Sequence, residues 1–216
     1  MADRRMYGFS LIEMMIVVCI LMIMGSITFI SLQPALRDAQ MNAAYDTVLS
    51  QLRMARQRAI EERKQYIVCF GSASQPTGAA TPLGAPTASS IQLFRWDVGT
   101  APSAAVQISN VRLPQNISFQ TLAGFPATAP DQWGTGTTAI DFDQGVAGGN
   151  KKQVMFQPDG ASRDMLGNLN SGVVYIARSG SLDSSKAVTV FGSTGRIRGW
   201  RLIKVVPGST RKWIQQ

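Results

Sequence analysis

The sequence has no histidine and only two cysteines. Without imidazole there is no Ser-His or Cys-His nucleophile pair and no histidine metal site. Cys19 sits in a long apolar run and Cys69 in the remainder of the chain, so a disulfide between them is geometrically implausible. Cys69, among apolar neighbours, reads as an inert core residue. A domain without a disulfide must rely on its core, which about 150 residues can supply. Acid is the scarcer charge, with 13 Asp and Glu against 21 Lys and Arg and a net charge of +8. That imbalance bears on partners rather than fold, and it suits anionic headgroups, nucleic acid or an acidic neighbour. The acids that cluster do little: Asp141 and Asp143 share a strand face but fall short of a calcium shell. Gly148-Gly149-Asn150-Lys151 lacks the strand, spacing and following helix of a phosphate loop. No cofactor, no metal and no enzymatic activity are expected.

Charge is also missing from a whole stretch. Between Glu13 and Arg37 no residue is ionisable as acid or base apart from Cys19, and most are Ile, Val, Leu, Met or Phe. About 20 apolar residues match the roughly 30 Å hydrocarbon core of a bilayer when helical. A helix apolar on every face is expected to be a membrane span. Arg4 and Arg5 precede it and favour a cytoplasmic N-terminus. The run is too long, and continues too far as a helical pattern, for an ordinary signal peptide. Glu13 is the anomaly, because a carboxylate inside such a helix costs roughly 2.5–3.5 kcal/mol. It calls for a partner.

Gly8-Phe9-Ser10-Leu11-Ile12-Glu13 resembles the processing site of type IV prepilins and type II secretion pseudopilins. The resemblance implies cleavage after Gly8 by a prepilin peptidase and N-methylation of the new N-terminal residue, Phe9. It also implies that Glu13 meets the N-terminal amine of a neighbouring subunit in a filament. That partner answers the physics of a buried pair, in which removing one member strands the other. The organisation expected is a leader over 1–8, a transmembrane helix over 9–32, an amphipathic outer helix over 33–65 and a β domain over 66–216. Anchored in the inner membrane by one pass, the chain would place its C-terminal domain in the periplasm, and after assembly in a filament.

Beyond the span, Tyr45, Val48, Leu52, Ala55 and Ala59 recur at steps of three and four and define one helix face. Arg53, Arg56 and Arg63 fall mostly elsewhere and read as a solvated face, with phosphate or neighbour contact as the alternative. Arg58 and Glu62 are spaced to pair. Pro34, and Gly25-Ser26, are expected to bend or loosen the helix. From Tyr66 the period becomes that of strands: Tyr66–Phe70, Ile91–Trp96, Val106–Leu113, Ile117–Thr121, Thr138–Phe142, Gln153–Gln157, Val173–Arg178, Ala187–Phe191 and Arg196–Val205. Residues 71–90, poor in charge and in large apolar side chains, read as a loop with little to pack. Helix first and strands after predict an α+β fold, with antiparallel sheet laid against a long N-terminal helix.

Three later stretches, Leu113-Pro114-Gln115-Asn116-Ile117, Val154 to Gly160 and Ser193 to Arg198, resemble landmarks of the GspH/FimT-type domain. Such proteins are minor pseudopilins of type II secretion or minor pilins of type IV pili, implied to sit near the filament tip. Turn chemistry accounts for Pro158-Asp159-Gly160 and for Gly195 equally well. Gly195-Arg196-Ile197-Arg198 matches an element through which FimT-type pilins are implied to bind DNA. Arg196 and Arg198 would share a strand side. Arg201, Lys204, Arg211 and Lys212 follow, interleaved with Trp200 and Trp213, and no acid follows Asp183. Such a surface can neutralise phosphates or stack on bases; it can equally meet an acidic neighbouring subunit. The partners expected are therefore other pilins, the prepilin peptidase, inner-membrane lipid and, on the alternative reading, DNA.

Overall fold

A computed structural model describes residues 9–71, 75–97, 99–126, 129–134, 136–142, 152–164, 166–205 and 211–216, the side chains of 27–30 excepted. Gly8, Asp143 and Gly148-Gly149-Asn150-Lys151 lie outside the described residues. The chain divides into two units, Met1–Ala39 and Gln40–Gln216.

The first unit is helical from Leu11, within α1 (Leu11–Glu62). The helix is assigned without a break through Gly25-Ser26 and through Pro34, where loosening is expected. Its side chains from Leu11 to Met24 are exposed although nearly all are apolar. The stretch is long and apolar enough to cross a membrane. Ser26 satisfies its own hydroxyl by donating to the Met22 carbonyl at 2.8 Å, the usual way a hydroxyl is carried in an apolar helix.

The second unit begins on the same helix. Tyr45, Val48, Leu52, Ala55 and Ala59, the expected apolar face, are all buried, joined by Met41, Ala44 and Leu49. The helix stops at Glu62 because Arg63 takes a left-handed conformation (φ 53), which closes a helix much as glycine would. Arg58 and Glu62 do not pair. Glu62 instead accepts a hydrogen bond from the Tyr66 hydroxyl, whose pKa is pushed up to about 12, first by burial and then by that bond.

Among the described residues, eleven strands follow. Antiparallel pairing joins β1 (Gln65–Phe70), β2 (Ser90–Trp96), β3 (Val106–Arg112), β6 (Gln153–Phe156) and β7 (Ser162–Arg163) in the order β3-β2-β1-β6-β7. A second antiparallel sheet holds β4 (Ile117–Phe119), β8 (Gly172–Arg178), β9 (Ser181–Phe191), β10 (Arg196–Lys204) and β11 (Arg211–Gln215) in the order β11-β10-β9-β8-β4. The short β5 (Ile140–Asp141) also pairs with β8. The fold is α+β, a long N-terminal helix packed on antiparallel sheet, as expected. One core receives the helix face together with Val68, Phe70, Leu93 and Phe156 of the first sheet and Val174, Ile176, Val188 and Val190 of the second. Each such side chain gains roughly 1.5–3 kcal/mol from burial. The outer face of the second sheet has its own aromatic core, where Tyr175 and Phe125 lie 5.6 and 5.4 Å from the Trp213 ring.

Two departures from the sequence reading matter here. Residues 75–90 are docked by polar contacts rather than left unpacked: Gln92, Gln107 and Asn110 all donate to the Gly84 carbonyl, at 3.2, 3.3 and 3.0 Å. Two further strands, β7 and β11, and the polar first half of β9 lie outside the strand ranges expected from sequence.

Candidate functional site: an arginine-lined groove

The Gly195-Arg196-Ile197-Arg198 element lies at the β9–β10 hairpin, as its turn chemistry predicts. Arg196 faces Phe191 in register, and Gly195 has φ 61. This turn closes against the helix. Arg56 donates from Nε to the Gly160 carbonyl at 3.2 Å and from Nη2 to the Thr194 carbonyl at 3.0 Å. One helix arginine therefore holds both the Pro158-Asp159-Gly160 turn and the hairpin turn. Around this contact opens a groove of about 800 Å³, with Arg53, Arg56 and Arg196 on its walls and Ile60, Phe191 and Ile197 among its apolar lining. Arg196 lies over the Phe191 ring at 5.9 Å, and Trp133 stacks on the same ring with centroids 5.4 Å apart. Among the described residues, no acidic side chain lines the groove. Sequence reading placed Arg53 and Arg56 on a solvated face; the structure joins them to Arg196.

The six cations proposed from sequence do not form one patch. Alternation along β10 puts Arg196, Arg198 and Lys204 on the side of Trp200 and Leu202, and Arg211 joins them because it faces Lys204 in register. Arg201 and Lys212 occupy the opposite side, with Gly199 and Ile203. Gly199 marks that side as the helix side, since a Cβ there would overlap the Tyr45 hydroxyl.

Two of the six are also neutralised. Arg198 Nη1 donates to Asp131 Oδ1 at 2.8 Å, with side-chain exposures of 30% and 15%. The same carboxylate accepts from the Thr189 hydroxyl at 2.6 Å, and Trp200 Nε1 donates to that hydroxyl at 3.0 Å. Asp131 reaches the strand from a turn in which it and Gln132 both adopt positive φ, 52 and 64, a costly backbone for residues with a Cβ. Arg211 Nε donates to Asp183 Oδ1 at 2.6 Å, and that arginine holds the Asp183 carboxyl below its usual range. Arg196, Arg201, Lys204 and Lys212 are exposed.

In the first unit, Phe9 is 79% exposed and Glu13 is exposed on α1; among the described residues no cation pairs with its carboxylate. Among the described residues, no three Cys, Asp or Glu side chains gather as a metal would require.

Residues 3–29 match the family model for the prokaryotic N-terminal methylation motif. No curated protein matches the chain at a significant level. Among solved structures, the chain is similar to the type IV minor pilin FimU of Pseudomonas aeruginosa PAO1 in two crystal forms. One shares 10% identity over 74% of this chain and 87% of that one, with a TM-score of 0.43. The other shares 11% over 73% and 90%, with a TM-score of 0.40. These values assign no role to the chain.

Proposed function

We propose that the protein is a membrane-anchored minor pilin or pseudopilin of the GspH/FimT type, working by assembly and not by catalysis. One observation carries this reading: the methylation-motif match over 3–29 takes in the apolar segment of α1 whose side chains are exposed from Leu11 to Met24 and in which Glu13 is the one carboxylate. An isolated bilayer acid is costly, and a neighbouring subunit's N-terminal amine is the partner that would relieve it. The peptidase releases that amine at Phe9, the span stores the subunit in the inner membrane, and the β unit faces its filament neighbours near the tip. Mass spectrometry of the mature chain from its native membrane tests this directly. The expected N-terminal residue is a methylated Phe9; a chain that keeps residues 1–8 removes the proposal.

A second reading, DNA capture during uptake, is favoured by the groove. Arg53, Arg56 and Arg196 border it without an acid, whereas Arg198 is already neutralised. The contact set on this reading is the groove together with Arg196, not a strip running to Lys212. In a gel shift of the full chain in detergent, Arg53→Ala and Arg196→Ala should each weaken duplex binding. Each should also lower the salt slope by about 0.9, one phosphate contact apiece. Asp131→Asn should strengthen binding severalfold by freeing Arg198. Arg198→Ala, by contrast, leaves the half-buried Asp131 without its cation and should cost about 1 kcal/mol of stability. Unchanged binding in Arg53→Ala, Arg196→Ala and Asp131→Asn sets the DNA reading aside.

A further inference from the structure

The β unit gathers cations at the end where the chain enters it, at Gln40. Arg178 Nη2 donates to Gln40 Oε1 at 2.6 Å. Lys186 Nζ donates to Asn42 Oδ1 at 2.7 Å and lies 4.4 Å from the centre of the Tyr45 ring. Register carries the cluster across the sheet: Lys186 faces Arg201, Ile203 faces Lys212, and Lys204 faces Arg211. Arg201, Lys204 and Lys212 are exposed. Asp183, whose carboxylate feels the charge of Lys204, is paired with Arg211. This end is distinct from the groove, which lies at the other end of β10, beside Gly195.

We propose that this cationic end binds the phosphate headgroups of anionic phospholipid while the subunit is held in the bilayer by its apolar segment. The inference rests on the membrane-anchor reading. Two observations choose lipid over nucleic acid. Val205 and Ile214 are 56% and 43% exposed among the cations, Ile214 directly opposite Arg201. Apolar side chains beside cations suit the boundary between headgroups and acyl chains, and they give a duplex nothing to contact. The tether also matters: from Leu32 to Gln40 the chain reaches about 27 Å at most even when fully extended, which keeps Gln40 within that reach of the end of the apolar segment. An anionic surface attracts each nearby Lys or Arg by about fivefold in equilibrium constant. Lys186 is buried and serves to fix Asn42 and Tyr45 to the sheet, which leaves Arg201 and Lys212 on one side of the β10–β11 strand ends and Lys204 on the other as the contacting groups.

The test uses the full chain in lipid nanodiscs, of phosphatidylcholine alone or with phosphatidylglycerol added. A neutral amine-acylating reagent is applied and labelling is read at each lysine by mass spectrometry. Lys204 and Lys212 should react about fivefold more slowly in the anionic discs. Lys64, paired with Asp97 at 2.9 Å beyond the far end of the helix, should not change. High salt should abolish the difference, and Arg201→Gln should reduce it. Equal rates in both discs, with the chain still co-eluting with lipid, overturn the inference and leave the anchor reading intact. A chain that does not co-elute with the discs overturns both. Protection of the same lysines by a short duplex DNA in neutral discs, matching that by anionic lipid, assigns the surface to nucleic acid instead.

Discussion

Gly195→Ala should destabilise the β unit by about 2–5 kcal/mol, the sum of a left-handed backbone and an overfilled contact. At φ 61 an L side chain costs roughly 1–2 kcal/mol before any clash is counted. The added Cβ would also overlap the Gly160 carbonyl and lie 2.9 Å from Arg56 Nε. Neither neighbour can yield cheaply. That carbonyl is backbone and is itself the acceptor of the Arg56 bond, so moving it unseats the turn and the arginine together. Melting temperature should fall by about 4–20 °C at 2–4 °C per kcal/mol for a chain of this size. Gly180→Ala is the control: its φ is 77 but a Cβ there meets nothing within 4 Å. It should lose only the backbone share. Equal losses at the two positions would show that the close approach at Gly195 contributes nothing.

Glu13→Gln should separate storage from assembly. In the bilayer the substitution removes a charge whose burial costs roughly 2.5–3.5 kcal/mol, so insertion should be unimpaired or improved. In the filament it removes one member of the proposed pair and strands a neighbour's amine, a loss of about 3–5 kcal/mol. Incorporation alongside wild-type subunits should then drop by more than about a hundredfold at 1.4 kcal/mol per decade. Membrane fractionation and the ratio of variant to wild-type chain in sheared filaments measure the two effects separately. Variant chain recovered from filaments at the wild-type ratio would detach Glu13 from assembly.

What the sequence made legible was periodic or costly. Tyr45, Val48, Leu52, Ala55 and Ala59 announce a helix face by spacing alone, and the structure buries all of them. Glu13 is conspicuous because every residue around it is apolar. β10 and its hairpin turn follow from alternation and from Gly195. Contacts between distant turns carry no such signal. Asp131 reaches Arg198 from an irregular segment whose two left-handed residues are not glycines, so no turn rule points to it. Arg56 finds two carbonyls, and every residue has one; only the fold decides which are in reach. β11 was hidden by its own composition, since Arg211 and Lys212 read as part of a basic surface for a partner while Trp213 is the residue that docks the strand. The polar first half of β9 was missed for the same reason: Ser181–Lys186 pairs through its backbone, to which side-chain polarity is nearly blind.

The helix segment from Met41 to Ala59 lines both sheets from a single side, so it is their shared floor and not a stalk leading to them. A fragment begun where helix gives way to strand, near Lys64, would leave Val68, Leu93, Phe156, Val174 and Val188 facing water and prone to clump. Trimmed instead just ahead of Gln40, the polypeptide keeps its floor and sheds only the greasy stem.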